Sequence, residues 1–157
     1  MRHLTLAAAA ALALCAATAS MAASYRLGQI EVGQPWSRPA AAGMNGVGFM
    51  TLTNHGGAAD TLTAVESPAA RKVEMHQTSM AGGMMSMQRL DAGVALPAGQ
   101  NVSFAPTGRH LMFVGLVKPL ASGDHLPATL VFASGARLQV EFAVGTGAPA
   151  PGEHQHH

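Results

Sequence analysis

Two stretches carry the side chains best suited to chemistry. One runs Glu74-Met75-His76-Gln77-Thr78-Ser79-Met80-Ala81-Gly82-Gly83-Met84-Met85-Ser86-Met87, and the other is His110-Leu111-Met112. Five of the ten methionines lie between positions 75 and 87. A thioether is soft and polarizable and imidazole is a borderline donor, so together they suit Cu(I) far better than Mg, Ca or Mn, which take oxygen. Methionine ordinarily fills gaps in cores, but a core segment would bring Leu, Ile or Val with it. Here the neighbours are Ser79, Gly82, Gly83 and Ser86. The cluster reads as a soft-metal site.

The cysteine usage narrows the chemistry further. Arg2 and His3 precede an Ala/Leu run, Leu4 to Ala17, which ends in small residues around Ala17-Thr18-Ala19 and Ser20-Met21-Ala22-Ala23. Residues 1–23 therefore read as a secretory signal peptide, cleaved between Ala19 and Ser24. The run is shorter than the roughly 20 apolar residues a bilayer span needs. Cys15, the single cysteine, lies inside it, and Leu14 is a poor fit for the small residue that precedes a lipidated cysteine. The mature chain then has no thiol, hence no disulfide, thiolate ligand or thiol nucleophile. A blue-copper centre, which needs Cys, is excluded, and a structural zinc site fits badly. No paired catalytic carboxylates and no Ser/His/Asp arrangement point to an enzyme. The net charge of +1 comes from scattered residues, so neither nucleic acid nor a membrane surface is an expected partner.

The elements that must hold these residues are short strands. Turn residues recur along the mature chain, and between them the pattern alternates in period two: Ile30 to Val32, Gly48 to Asn54, Asp60 to Val65, Lys72 to His76, Met84 to Leu90, Ala95 to Leu96, Asn101 to Phe104, His110 to Val117, Leu126 to Phe132 and Arg137 to Val144. The prolines of Gln34-Pro35-Trp36-Ser37-Arg38-Pro39 are expected to stop the first of these. Gly82-Gly83 should close a hairpin, and Ala133-Ser134-Gly135-Ala136 another. No segment predicts an amphipathic helix. The fold expected is all-β, an antiparallel Greek-key β-sandwich in one domain over residues 24–145. Trp36, Phe49, Phe104, Phe113, Phe132 and Phe142 are its expected core. Residues 146–157 form a Pro/Gly/Ala tail ending in His154, His156 and His157, donors of the nitrogen type that Cu(II) prefers.

On a strand, residues i and i+2 share a face. His110 and Met112 thus aim one way and Leu111 and Phe113 the other, Met85 and Met87 are a same-face pair, and Met75 and His76 oppose each other. A sandwich that sets the two stretches side by side converges His76, Met87, His110 and Met112 on one neutral, four-coordinate pocket suited to Cu(I). Protons compete for imidazole near its pKa, so affinity is expected to weaken below about pH 6. Met80 and Met84 read as exposed loop methionines, Met44 and Met50 as packing residues, His55 and His125 as unmatched, and Glu74 as a solvated strand-edge carboxylate.

These residues carry a resemblance to the periplasmic copper chaperones known as the PCuAC family. His76, Met87 and the His110-x-Met112 pair follow that family's motif, with one residue more between Met87 and His110 than is usual, placed in the loop around Gln88 to Val94. Pro35-Trp36-Ser37-Arg38-Pro39, Thr53-Asn54-His55-Gly56, Asp60-Thr61-Leu62, Leu96-Pro97-Ala98-Gly99 and Gly115-Leu116 are similar too, so the likeness covers about Gly28 to Val144. It implies a cupredoxin-like sandwich that binds Cu(I) through His76, Met87, His110 and Met112. It also implies delivery of copper in the periplasm to the dinuclear copper centre of a haem-copper (cytochrome c) oxidase, alongside a Sco-type protein. A second copper on a His-rich tail is a further family pattern. A copper buffer or resistance protein without a dedicated client would use the same residues.

Overall fold

Alternation is what the chain does almost everywhere. In the strand His125–Phe132, Leu126, Ala128, Leu130 and Phe132 are buried, while the residues between them reach outward. Side chains on a pleated strand point alternately to its two faces, so this pattern commits each strand to one inner face. A computed structural model describes residues 24–148. It contains β1 (Ser24–Leu27), β2 (Ile30–Ser37), β3 (Gly46–Asn54), β4 (Asp60–Glu66), β5 (Ala70–Ala81), β6 (Met84–Arg89), β7 (Val94–Leu96), β8 (Asn101–Phe104), β9 (Arg109–Leu116), β10 (His125–Phe132) and β11 (Arg137–Val144), with no helix among the described residues. The expected signal segment, 1–23, and His154, His156 and His157 of the tail lie outside the described residues.

The strands form one open mixed sheet in the order β6-β5-β9-β8-β3-β2-β11-β10-β4-β7, with β1 paired to β2 and β9 paired also to β3. The pairings are antiparallel except β11 with β2 and β8 with β9, which are parallel. The sheet turns its inner face onto one apolar cluster that draws on both ends of this order, from Met75 and Leu111 to Leu62, Leu130 and Phe142. All six expected core aromatics are buried. Phe113 of β9 meets Phe142 of β11 edge-on, with ring centroids 5.6 Å apart. Gly48 of β3 lies under this pair, and a Cβ there would come within 2.8 Å of Phe113 and 3.2 Å of Phe142. Trp36 and Phe49 make a separate pair, 4.7 Å between centroids, with the Arg38 guanidinium over both rings.

Two local expectations are corrected. Pro35 does not stop β2, which ends at Ser37, ahead of Pro39. Its register with β3 shifts between Gly33 and Trp36, and Gln34 takes the left-handed conformation at φ 49°. Pro35 therefore sits in a bulge, where no ladder N–H is demanded of it, and the strand continues to pair beyond it. Likewise, β5 runs well past His76. Gly82 and Gly83, at φ +59° and +77°, supply the two left-handed residues of a two-residue hairpin turn. The ladder from His76↔Arg89 to Ala81↔Met84 thereby continues to the tip.

Candidate metal centre

β5 lies between β6 and β9, and this order decides which side chains can meet. In the β5–β9 ladder His76 is directly opposite His110 and Glu74 is opposite Met112. In the β5–β6 ladder His76 is opposite Arg89 and Thr78 is opposite Met87. Directly paired residues of an antiparallel ladder share a face, as do residues i and i+2. His76, Met87, His110 and Met112 are therefore all on one face, opposite the one that carries Met75, Leu111 and Phe113 into the core.

They are not equally close. The His76 and His110 rings face each other with centroids 5.7 Å apart and planes tilted by 33°. Met112 is the next same-face residue along β9 and a diagonal neighbour of His76. Met87 is diagonal to His76 on the other side, one strand further out, and is 53% exposed. The structure thus brings His76, His110 and Met112 together, with Met87 at the rim.

Both imidazoles are held with one nitrogen spoken for. The His76 Nε2 is 2.8 Å from Glu74 Oε2. Glu74 is ionised at neutral pH, its pKa pulled down to about 2 by the hydrogen bond from Lys72 and then that from His76, against the opposing effect of burial. A carboxylate only accepts, so His76 Nε2 carries the proton and its Nδ1 keeps the lone pair. That Nδ1 is buried and is the one such side-chain nitrogen or oxygen without a hydrogen-bond partner among the described residues. An orphaned buried acceptor normally costs free energy, and a bound metal is one way of satisfying it. His110 is 6% exposed, and its Nδ1 can donate only weakly, at 3.4 Å, to the Gly108 carbonyl. This leaves its Nε2 lone pair available. Burial, opposed by that hydrogen bond and aided by nearby His76, lowers the His110 pKa below its ordinary 6.5, so the neutral, metal-binding form is favoured.

Two further residues, Glu74 and Asn45, support these. Glu74, expected to be solvated, has a side chain only 17% exposed and is gripped by Lys72 Nζ at 2.6 Å and His76, with Arg89 at 3.6 Å. A carboxylate that receives the second N–H of a metal-binding histidine fixes its tautomer and ring orientation. Glu74-x-His76 was legible as a same-face pair on a strand, the only signal available. Asn45, from the loop before β3, donates to the Met112 Sδ at 3.7 Å and accepts from the Gly115 N–H at 3.1 Å. Nothing in the sequence linked Asn45 to a residue 67 positions away.

The remaining assignments sort plainly. Met50 packs in the core, but Met44 is exposed and not a packing residue. His55 has a partner after all, Glu31 at 2.7 Å, and His125 faces Glu141 at 3.9 Å. Both ion pairs lie in the open. Among the described residues no group of three His, Cys, Asp or Glu side chains is placed to hold a metal ion. No helix there is long and apolar enough to cross a membrane.

Comparison with known proteins gives this arrangement its context. Residues 30–144 match the family described as "Putative lipoprotein LpqE-like". A relative from Leifsonia xyli, also named as a lipoprotein, is 31% identical over 115 residues, which is 73% of this chain and 69% of its own. The copper-bound PCuAC domain from PmoF2 is similar in structure, with a TM-score of 0.66 and 29% identity over 81% of this chain and 99% of its own. The Cu(I) form of DR1885 from Deinococcus radiodurans has a TM-score of 0.54 and 28% identity, covering 70% of this chain and 75% of its own.

Proposed function

Because the chain belongs to the LpqE-like family, whose fold it shares with copper-binding PCuAC domains, we propose that it is a periplasmic copper(I) chaperone that binds the ion through His76, Met87, His110 and Met112. The observation that carries this reading is the His76–His110 pair, directly opposed across β5 and β9, with each ring retaining a lone pair and the His76 one buried without a partner. Two imidazoles and two thioethers form a neutral, soft donor set that favours Cu(I) and disfavours hard divalent ions. The solved Cu(I) form of a structural relative is consistent with that oxidation state.

The face is also built for release. Thioethers bind Cu(I) with no proton to lose, and the half-exposed Met87 can leave first while the two histidines and Met112 keep hold. An incoming donor then replaces one ligand at a time. Glu74 keeps His76 in the tautomer that presents Nδ1, and Asn45 keeps Met112 beside His110. The lipoprotein names of the family and of the Leifsonia relative support export, in keeping with the signal segment 1–23. The client in this reading is the copper-site subunit of a cytochrome c oxidase, with a Sco-type protein as co-worker. The tail histidines supply a weaker Cu(II) site.

The test is an anaerobic Cu(I) titration of the mature protein against a chromophoric chelator. The same titration is run on the quadruple variant His76→Ala, Met87→Ala, His110→Ala, Met112→Ala and on a truncation after Thr146. One tight equivalent is expected, lost in the quadruple variant and kept in the truncation. Tight binding that survives the quadruple variant would show the ligands to be wrong.

A further inference from the structure

Beyond Thr78, β5 and β6 leave the body of the protein as a two-stranded arm, exposed on both faces from Ser79 to Met87. Its two faces differ in kind. One reads Gln77, Ser79, Ser86 and Gln88, with the Ser79 and Ser86 hydroxyls hydrogen-bonded at 3.0 Å and Met84 at the turn. The other carries Met80, directly opposite Met85, and then Met87, opposite Thr78. This second face is continuous with the one that bears His76. Met80 is 66% and Met85 72% exposed, so neither fills a core.

We propose that Met80, Met85 and Met87 form a second Cu(I) site made of thioethers alone, a loading station from which copper passes to the His76–His110 pair with Met87 as the shared ligand. Directly opposed strand residues have Cβ atoms about 4.5–5.5 Å apart, and diagonal ones stand about 7–8 Å apart, within reach of long side chains. The three thioethers can therefore close on one ion. All three are neutral and soft, so the site takes Cu(I) and not hard cations or Cu(II). The spacing also makes a path. At about 3.3 Å per residue, Met80 and His76 stand roughly 13 Å apart along β5, and Thr78, whose cross-strand partner is Met87, lies halfway. Met87 need only change rotamer to exchange stations. The ion remains Cu(I) throughout, each step replacing one neutral ligand by another, with no proton or electron moved. The opposite face, with its Gln and Ser side chains, keeps the arm polar on that side while Met80, Met85 and Met87 stay uncovered.

This inference rests on the copper reading above, and the experiment separates the two. The mature chain, labelled with 13C at its methionine methyls, is titrated anaerobically with Cu(I) and followed by NMR. The series is repeated for Met80→Leu/Met85→Leu and for His76→Ala/His110→Ala. In the unmodified chain the first equivalent is expected to shift Met87 and Met112, and the second to shift Met80, Met85 and Met87. In His76→Ala/His110→Ala the first equivalent should go directly to Met80, Met85 and Met87, and should do so at pH 5 as well as pH 7. In Met80→Leu/Met85→Leu the tight site should keep its affinity within about twofold, but the second Met87 shift should vanish. Methyls of Met80 and Met85 that stay unmoved at excess Cu(I) would overturn the arm site while leaving the central one intact. Arm shifts without a tight, histidine-dependent equivalent would sink the central reading and with it the transfer step, leaving only the thioether site.

Discussion

At the scale of single residues, the candidate site depends on what surrounds its donor side chains. Glu74 fixes the His76 tautomer through one hydrogen bond and is itself held by Lys72 and Arg89. Glu74→Gln keeps the shape but offers an amide that can donate as well as accept, so the tautomer is no longer dictated. Cu(I) affinity should drop by about 10- to 100-fold with the fold intact, read by chelator competition and circular dichroism. The pH dependence of the apo protein has a definite sign. His110 has its pKa lowered in the folded state by burial, whereas the unfolded chain takes the proton at about the ordinary 6.5. The stabilising contribution of a neutral His110 is therefore full above 6.5 and is lost as pH falls through its lowered folded value. The apo Tm should decline from pH 7.5 to 5.5, and His110→Phe should flatten that slope. An unchanged slope in His110→Phe would place the titrating group elsewhere.

At the scale of elements, the sheet order does the positioning. β5 as the strand between β6 and β9 gives His76 a neighbour on each side, and a one-residue slip of the β5–β9 ladder would part His110 and Met112 from His76 by turning them to the opposite face. The β3–β9 pairing beneath this depends on Gly48, where Phe113 and Phe142 come down on the backbone. Gly48→Ala should cost about 1–3 kcal/mol by forcing those rings aside, measured by urea unfolding. It should weaken copper binding more than an equally destabilising change in β10, because Leu111 and Phe113 alternate with His110 and Met112 on the same strand. Comparable effects on binding from both changes would argue against that coupling.

At the scale of the whole molecule, the copper binding proposed would be linked to folding. A ligand that binds only the folded state adds about 2.7 kcal/mol at a hundredfold excess over its Kd, a rise of roughly 10 °C in Tm for a domain of this size. Cu(I) should produce such a rise in the mature protein and none in the quadruple ligand variant, by differential scanning calorimetry. The physiological reading is tested in cells. Deleting the chain should lower cytochrome c oxidase activity under copper limitation and spare it when copper is supplied. Sensitivity confined to high copper would instead mark a buffer.

The sequence alone determined what depends on local chemistry. Period-two alternation with turn residues between runs specified an all-β chain, and strands such as Asn101–Phe104 and Arg137–Val144 were legible to the residue. Soft donors, with no cysteine after Cys15, pointed to the class of metal proposed. The two glycines of the hairpin specified the register of the arm, since a two-residue turn leaves only one way to pair its strands. What the tertiary structure decided is non-local. Turn and period rules do not say that β2 continues through Pro35 into a parallel pairing, because a bulge is tolerated only where a neighbouring strand demands it. Nor do they place Asn45 on Met112, turn Glu74 from solvent to His76, or leave Met87 at the rim instead of at the centre. Those outcomes follow from which strands lie side by side, and burial of the shared apolar face fixes that order.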